Sequence, residues 1–492
     1  MHIAFLNPQG NFDPQDRYWT AHPDFGGQLV YVKELALALG RMGHRVDILT
    51  RRIVDSEWQG FEQKIGGYPG EPNVRIVRLA CGGDRFIRKE DLWPYIGTEW
   101  VPNIALFYNT EGSLPDKATA HYGDGGLAAA IWHQMNGPPY TFTGHSLGAQ
   151  KLDRLLQIGD ETLESLDAQY HFAQRLAGEQ VAMNHAGRVI SSTSQERFNQ
   201  YGHPAYLEAV DTHSDSKFAI VTPGVNTHIF HQSSESSDDE RLAAFLEKVL
   251  ARDVAADRRT LPGILCSSRL DPKKNHIGLV RAFGGSVALQ EAANLLIVVR
   301  GIEDIHSREG LTPTEVEVLD EIERIVQTED LWGKVSVFSL ESQMDLAGAY
   351  RYMAERRSVF TLTALFEPFG LAPLEAMACG LPVIVTKNGG PSESMREGNR
   401  EFGVLVDPLD PGDIAKGILR LVGSNNEWGY FHERGKRRVF DRYTWEKTAS
   451  GYLAVLMNLM SLDTHKMIIP KYFMDPHPEN EILLESFTST WR

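Results

Sequence analysis

The chain is poor in cysteine, in basic charge and in long apolar runs. Three cysteines occur in 492 residues: Cys81, Cys266 and Cys379. An odd, scattered set without metal-ligand spacing excludes a disulfide framework and implies reduced thiols in a reducing compartment. Lysine and arginine number 49 against 65 aspartates and glutamates, a net charge of −16. That excludes a dedicated nucleic-acid binder, which needs a basic face, but leaves room for a local basic pocket around an anionic substrate. No apolar stretch approaches the ~18–20 residues that span a bilayer. The opening run Met1-His-Ile-Ala-Phe-Leu-Asn7 is too short for a signal peptide and lacks a basic lead. It reads as a first buried strand in a protein expected to be cytoplasmic, with neither membrane nor nucleic-acid partners. Also missing are a Gly-x-x-x-x-Gly-Lys-Ser/Thr phosphate loop and an Asp-x-Asp pair to hold a metal diphosphate. A metal-independent reaction without an obligatory cofactor is the simpler expectation. Nothing in the residues predicts magnesium stimulation.

What is present is ordinary globular material, 42% hydrophobic and 23% charged, long enough for two or three domains. Short buried-strand runs alternate with helical patterns. In the first half the runs fall near 2–7, 45–50, 73–79, 117–121, 139–143, 187–192 and 217–222. The best helix, 27–42, follows Gly26-Gly27, carries Leu29, Val30, Val32, Leu35, Ala36 and Leu39, and ends near Gly43. In the second half strands are expected near 263–267, 294–299, 335–339, 358–363 and 382–386. Such alternation predicts an α/β protein with two doubly wound parallel sheets facing a cleft. The polar run 231–240 opens a surface connection over 231–260. The expected domains are 1–230 and 231–445, with a last helical stretch near 445–461 and the segment 446–492 packing back on the first domain.

Glu367 and Glu375 lie eight positions apart in Phe366-Glu-Pro-Phe-Gly-Leu-Ala-Pro-Leu-Glu375. The order strand, Gly/Pro loop, short helix, strand puts Glu367 at a strand's carboxyl end, where open parallel sheets bind ligands. Glu375 falls about one turn into the helix. Two carboxylates accept paired hydrogen bonds from a polyhydroxylated ligand, and the helix N-terminus suits a phosphate. A sugar nucleotide needs that combination. Two glutamates at this spacing also occur on solvated surfaces, so the flanking elements carry the argument.

Other loops fall on the same predicted edges. Gly26-Gly27 sit where a helix begins and leave its N–H groups open to a negative charge. His121-Tyr122-Gly-Asp-Gly-Gly126 ends a strand, and Thr143-Gly-His145-Ser146-Leu-Gly-Ala-Gln-Lys151 runs from strand into loop. His145 there suits a donor to a sugar hydroxyl. Lys89, Lys151 and Arg175 are each ordinary surface charges alone, but converged they make a phosphate site. In the second half Arg269 and Lys274 follow a strand and can neutralise a diphosphate leaving group. Arg300 ends the next strand, and Asn388-Gly389-Gly390 opens a helix.

The segment from Glu367 to Pro382 resembles the EX7E element of retaining glycosyltransferases with the GT-B fold. Over nearly its whole length the chain resembles the GT4 family, and within it sucrose-phosphate synthases of the bacterial type. The pieces that carry this are Asn7-Pro-Gln-Gly-Asn-Phe-Asp13, His22-Pro-Asp-Phe-Gly-Gly-Gln-Leu-Val-Tyr-Val32, Leu92-Trp-Pro-Tyr95, His121-Tyr-Gly-Asp-Gly-Gly126, Thr143 to Lys151 and Tyr443-Thr-Trp445. The resemblance implies a GT-B fold of two Rossmann-like domains. It also implies transfer of glucose from UDP-glucose to fructose 6-phosphate with retention.

Carried over by residue, Gly26, Gln28, Lys89, Tyr122, Ser146, Lys151 and Arg175 would hold the acceptor. Gly27 would lie near the donor phosphates, and His145 would contact the transferred glucose. Arg269 and Lys274 would grip the diphosphate, with Arg300 on the same edge. Glu367 would bind glucose hydroxyls, the backbone of Phe369, Gly370 and Leu371 would contact the donor, and Glu375 would bind the ribose. His145, Arg269, Lys274 and Glu367 form the expected catalytic set. No protein nucleophile is implied, because the departing phosphate oxygen takes the acceptor proton. The phosphate ester product implies a separate sucrose-phosphate phosphatase in the pathway. Sucrose synthase, with free fructose, and mannosylfructose-phosphate synthase, with GDP-mannose, are the alternatives of the same class. A nucleotide-sugar epimerase or hydrolase and an inactive sensor are those of other classes.

Overall fold

The structure is a computed structural model and describes residues 1–19, 22, 24–158, 161–233, 237–459 and 466–488. Pro23 of the first loop motif, 234–236 of the polar connection and 460–461 of the expected last helix lie outside the described residues. The chain folds as two units, Met1–Thr222 with Trp445–Arg492, and Pro223–Thr444. Sequence reasoning put these limits at 230/231 and 445/446. The difference has a local cause: Val225 forms a parallel bridge with Thr444, and Val225 and Phe230 are buried in the second unit's core.

The first unit is an eight-stranded sheet. Its strands are β1 (His2–Leu6), β2 (Arg45–Arg51), β3 (Ile65–Gly67), β4 (Val74–Leu79), β5 (Lys117–His121), β6 (Tyr140–Thr143), β7 (Arg188–Ser191) and β8 (Phe218–Ile220). Their order is β3-β4-β2-β1-β5-β6-β7-β8. All neighbours are parallel except β3, which runs antiparallel to β4. The central strands are buried on both faces; β1 is a nearly continuous apolar run, while β2 and β4 carry the buried Asp47, Arg51 and Arg78. Helix Gly27–Arg41 lays Leu29, Val32, Leu35, Ala36 and Leu39 on one face. Trp445, Ala449, Tyr452 and Leu456 of helix Trp445–Met457 join that same cluster, one side chain per turn.

The His121–Gly126 run, expected at a strand end, follows β5 directly and opens the helix Tyr122–Gln134. Its glycines are packing residues. A Cβ on Gly125 would sit 2.4 Å from the Leu6 carbonyl oxygen, and one on Gly126 would sit 2.4 Å from Ala182 Cβ. This helix therefore lies closer to β1 and to helix Phe172–His185 than any side chain would allow.

The second unit has β9 (Gly263–Ser267), β10 (Asn294–Val298), β11 (Val335–Phe338), β12 (Val359–Leu362), β13 (Val383–Thr386) and, beyond a short hairpin of β14 (Arg396–Glu397) and β15 (Arg400–Glu401), β16 (Val404–Val406). Its six-stranded sheet has the order β11-β10-β9-β12-β13-β16, all parallel. In each unit the strand order reverses once, between β1 and β5 and between β9 and β12. Loops at the carboxyl ends of those pairs diverge, which opens a crevice for a ligand. Among the described residues no helix is long and apolar enough to cross a membrane.

Candidate active site

In the first unit the reversal point gathers the expected acceptor residues. Gly26 ends the loop before helix Gly27–Arg41, and no side chain caps that helix. A Cβ on Gly27 would meet nothing within 4 Å, so the helix N-terminus stands clear. Gln28 donates from Nε2 to the Asp24 carbonyl oxygen at 3.3 Å. The buried Asp24 carboxylate then reaches across to the turn holding Lys89. Its Oδ1 accepts from Lys89 Nζ at 2.6 Å and its Oδ2 from the Lys89 backbone N–H at 2.8 Å.

Arg175 is 5% exposed on helix Phe172–His185. Its Nε donates to Glu179 Oε1 at 2.9 Å, one helical turn on, and an Nη donates to the Ser146 carbonyl oxygen at 2.8 Å. Its guanidinium lies 4.9 Å from the centre of the Tyr122 ring. Glu179 is fully buried and also accepts from the Gly148 N–H and the Tyr206 hydroxyl. Lys151 sits with Nζ 3.9 Å from the centre of the Tyr170 ring, and no carboxylate among the described residues pairs with it. Burial, and then the Arg175 charge, push its amine down to about 8. Glu90, Lys89 and Asp24 also act on it, so Lys89 and Arg175 both lie within electrostatic reach of Lys151.

His145 adopts a left-handed φ of 55° just after β6. Its Nε2 lies 2.9 Å from Nδ1 of His121, and its ring packs edge-on to Tyr31. Burial holds His145 neutral, pushed down to about 3. Gly144-His145-Ser146-Leu147-Gly148 also has the glycine–serine spacing of a nucleophile elbow. In such an elbow the serine takes the strained turn position. Here His145 takes it, Ser146 is exposed, and the histidine is engaged by His121 instead.

In the second unit the loop after β9 is tied to the loop after β12. Asn275, at φ 57°, donates from Nδ2 to the Thr363 and Pro408 carbonyl oxygens, and the Leu365 N–H reaches Lys273. This sets Lys274 Nζ 2.7 Å from Glu367 Oε2. Glu367 is stitched in turn to the loop after β13. Its N–H donates to Asn388, and its carbonyl accepts from Gly390. A Cβ on Gly389 would lie 2.0 Å from that carbonyl oxygen, so only glycine fits there. Gly370, at φ 87°, precedes helix Leu371–Ala378 with no side-chain cap, leaving the first-turn N–H groups beside Phe369 and Leu371 for a ligand.

Glu375 projects from that helix half-buried, and burial raises its carboxyl to about 7. The buried Tyr350 hydroxyl feels its charge. Arg269 and Arg300 are exposed at the ends of β9 and β10, without a side-chain partner among the described residues. No group of three or more His, Cys, Asp or Glu among the described residues is placed to hold a metal ion.

Three residues that build this geometry were not singled out from sequence. Glu179 stands four positions after Arg175, a helical spacing that signals a pair. Asp24 and Lys89 are far apart in the chain, as are His121 and His145, and no local pattern links either pair.

Two nucleotide-binding-type sheets with acidic and basic groups at their switch points fit a glycosyltransferase. Family models agree: residues 1–251 match the first GT-B domain of sucrose synthase, and residues 251–438 match glycosyl transferases group 1. The protein is a GT-B glycosyltransferase, a hexosyl-transferring enzyme. It is 40% identical over 96% of its length to a probable sucrose-phosphate synthase of Thermosipho melanesiensis, covering 99% of that chain. It is 33% identical over 92% of its length to the sucrose-phosphate synthase of Zea mays, of which it spans 47%. The solved sucrose-phosphate synthase of Thermosynechococcus elongatus shares the fold, with a TM-score of 0.66 and 24% identity, over 93% of this chain and 99% of that one. The chain belongs to the sucrose-phosphate synthase family.

Proposed function

We propose that the protein moves glucose from UDP-glucose to fructose 6-phosphate with retention at the anomeric carbon, giving sucrose 6-phosphate and UDP. The observation that carries this reading is the convergence of Lys89, Lys151 and Arg175 beside Tyr122, with Lys151 lacking a carboxylate partner among the described residues. A phosphorylated acceptor uses such charge, and free fructose does not. The Gly26–Gln28 helix start and Ser146 complete the acceptor side, and His145 offers a neutral ring to the glucose.

On the donor side Glu375 accepts from the ribose hydroxyls and Glu367 from the glucose hydroxyls. Gly27 and the amides near Phe369, Gly370 and Leu371 face phosphate and sugar oxygens. Arg269, Lys274 and Arg300 counter the diphosphate charge. In the reaction the bond from the anomeric carbon to the phosphate oxygen breaks. The acceptor hydroxyl oxygen bonds to the same face, and its proton passes to the departing phosphate oxygen. Arg269 and Lys274 stabilise the charge that grows there, without an obligatory cofactor. The product's phosphate ester calls for a separate phosphatase, and three buried free thiols support a reducing, cytoplasmic location.

The test is nucleotide release from UDP-glucose with fructose 6-phosphate, with fructose and with no acceptor, the product being identified by mass spectrometry. Release only with fructose 6-phosphate, yielding a disaccharide monophosphate, is the expected result. Release with fructose alone would make the protein a sucrose synthase, and release without acceptor a hydrolase. Release only from GDP-mannose would make it a mannosylfructose-phosphate synthase.

A further inference from the structure

His145 is the last member of a hydrogen-bonded series that begins on the sheet. Thr141 Oγ1 on β6 donates to Thr119 Oγ1 on β5 at 2.9 Å. Thr119 Oγ1 lies 3.3 Å from His121 Nε2, and His121 Nδ1 lies 2.9 Å from His145 Nε2. Thr119, Thr141 and His121 are fully buried, and His121 stacks on Phe5 at 5.4 Å with the rings 6° apart. A neutral imidazole carries one proton, so the nitrogen that accepts determines which one donates.

The direction of this series follows from counting protons. Thr119 Oγ1 already accepts from Thr141, which leaves its own proton to give. The acceptor within reach is His121 Nε2. That nitrogen must then be bare, so His121 carries its proton on Nδ1 and donates it to His145 Nε2. His145 in turn carries its proton on Nδ1. Run the other way, Thr119 would accept twice, and its buried hydroxyl proton would face no acceptor among the described residues. A buried unspent donor is costly, which selects the first direction.

We propose that Thr119 and His121 are positioning residues that lock His145 in the Nδ1–H tautomer, so that it always presents a hydrogen-bond donor to the transferred sugar. Loss of the Thr119 hydroxyl donor, on the strand beside β6, would thus let His145 meet the sugar with a bare nitrogen, an acceptor, in place of the N–H. What the donor acts on rests on the transferase reading above, but the tautomer itself does not.

The experiment is two-bond proton–nitrogen correlation NMR on the full chain with 15N-labelled histidine. The resonances of the two rings are identified by their loss in His145→Gln and His121→Gln. The expected wild-type spectrum shows both rings neutral with the proton on Nδ1. Thr119→Val removes the hydroxyl that holds His121 Nε2 bare. It is expected to introduce the Nε2–H form at both rings and to lower kcat for UDP release about 10-fold, with the fructose 6-phosphate KM changed less than about twofold. A purely structural role for Thr119 would lower stability and leave the tautomers alone. An Nε2–H proton on His145 in the wild-type protein, or unchanged tautomers in Thr119→Val, would overturn the proposal. If Thr119→Val does not fold, the wild-type spectrum decides alone. If no UDP is released under any condition, the transferase reading fails while the spectrum still judges the tautomer.

Discussion

The two units hold their cations differently. In the first, Arg175 is clamped by Glu179, Lys89 by Asp24, and Lys151 lies over the Tyr170 ring. Of the three candidate donor-side cations in the second, Lys274 has a carboxylate partner among the described residues, Glu367, while Arg269 and Arg300 project exposed from strand ends. A clamped cation has already lost its rotamer freedom, so a ligand that meets it is spared that ordering cost. This suits an anion whose charge is complete on arrival, such as a sugar phosphate. An exposed arginine must be ordered by what it binds, and its contribution is largest where charge is growing. Under the proposed reaction, the first unit's cations serve recognition and the second's the charge that develops on a leaving diphosphate.

The sharpest way to break this contrast is at Arg269. Arg269→Ala is expected to lower kcat by ~10²-fold or more, the scale for losing a transition-state charge partner. Steady-state kinetics that show unchanged turnover would take it out of catalysis. Next in size is Glu179→Gln, which leaves the buried Arg175 cation uncompensated. A loss of about 3 kcal/mol is expected, read as a lower urea midpoint. Removal of the exposed Arg300 should leave that midpoint unaltered.

Smaller effects come from pH, and the two units should respond in opposite directions. Lys151, pushed down to about 8, is an ammonium below that value and a neutral amine above it. The KM for fructose 6-phosphate should therefore rise severalfold as pH climbs through about 8. Glu375, raised to about 7, is a carboxylate above that value and protonated below it. The KM for UDP-glucose should rise as pH falls through about 7, because a protonated carboxyl loses acceptor capacity. Initial rates from pH 6 to 9, with each substrate varied in turn, separate the two limbs.

Much of this was legible in the residues because buried parallel strands are uninterrupted apolar runs and helices repeat their own period. Val359–Leu362, the Glu367 loop and the helix with Glu375 could be read in order from one short segment. The strands that escaped are too short or too polar for any period to show. They are Ile65–Gly67, with two glycines on a sheet edge, the three-residue Val404–Val406, and the charged hairpin Arg396–Glu397 with Arg400–Glu401. The Gly123–Gly126 glycines follow a strand as expected, but what they do there, letting a helix pack against β1 and helix Phe172–His185, no spacing in the chain announces. The candidate site was legible as residue types, not as partners. Asp24 and Lys89 meet only because the turn holding Lys89 folds over the loop before helix Gly27–Arg41, and no spacing in the chain announces that.

The measurement that tests the account most directly is the pair of Michaelis constants of Lys151→Ala. Lys151 is the acceptor-side cation without a carboxylate partner among the described residues, so its loss should fall on the acceptor phosphate alone. The account predicts a rise of about 10-fold or more in the KM for fructose 6-phosphate, with that for UDP-glucose nearly unchanged. An equal rise in both constants, or no rise in either, would contradict it.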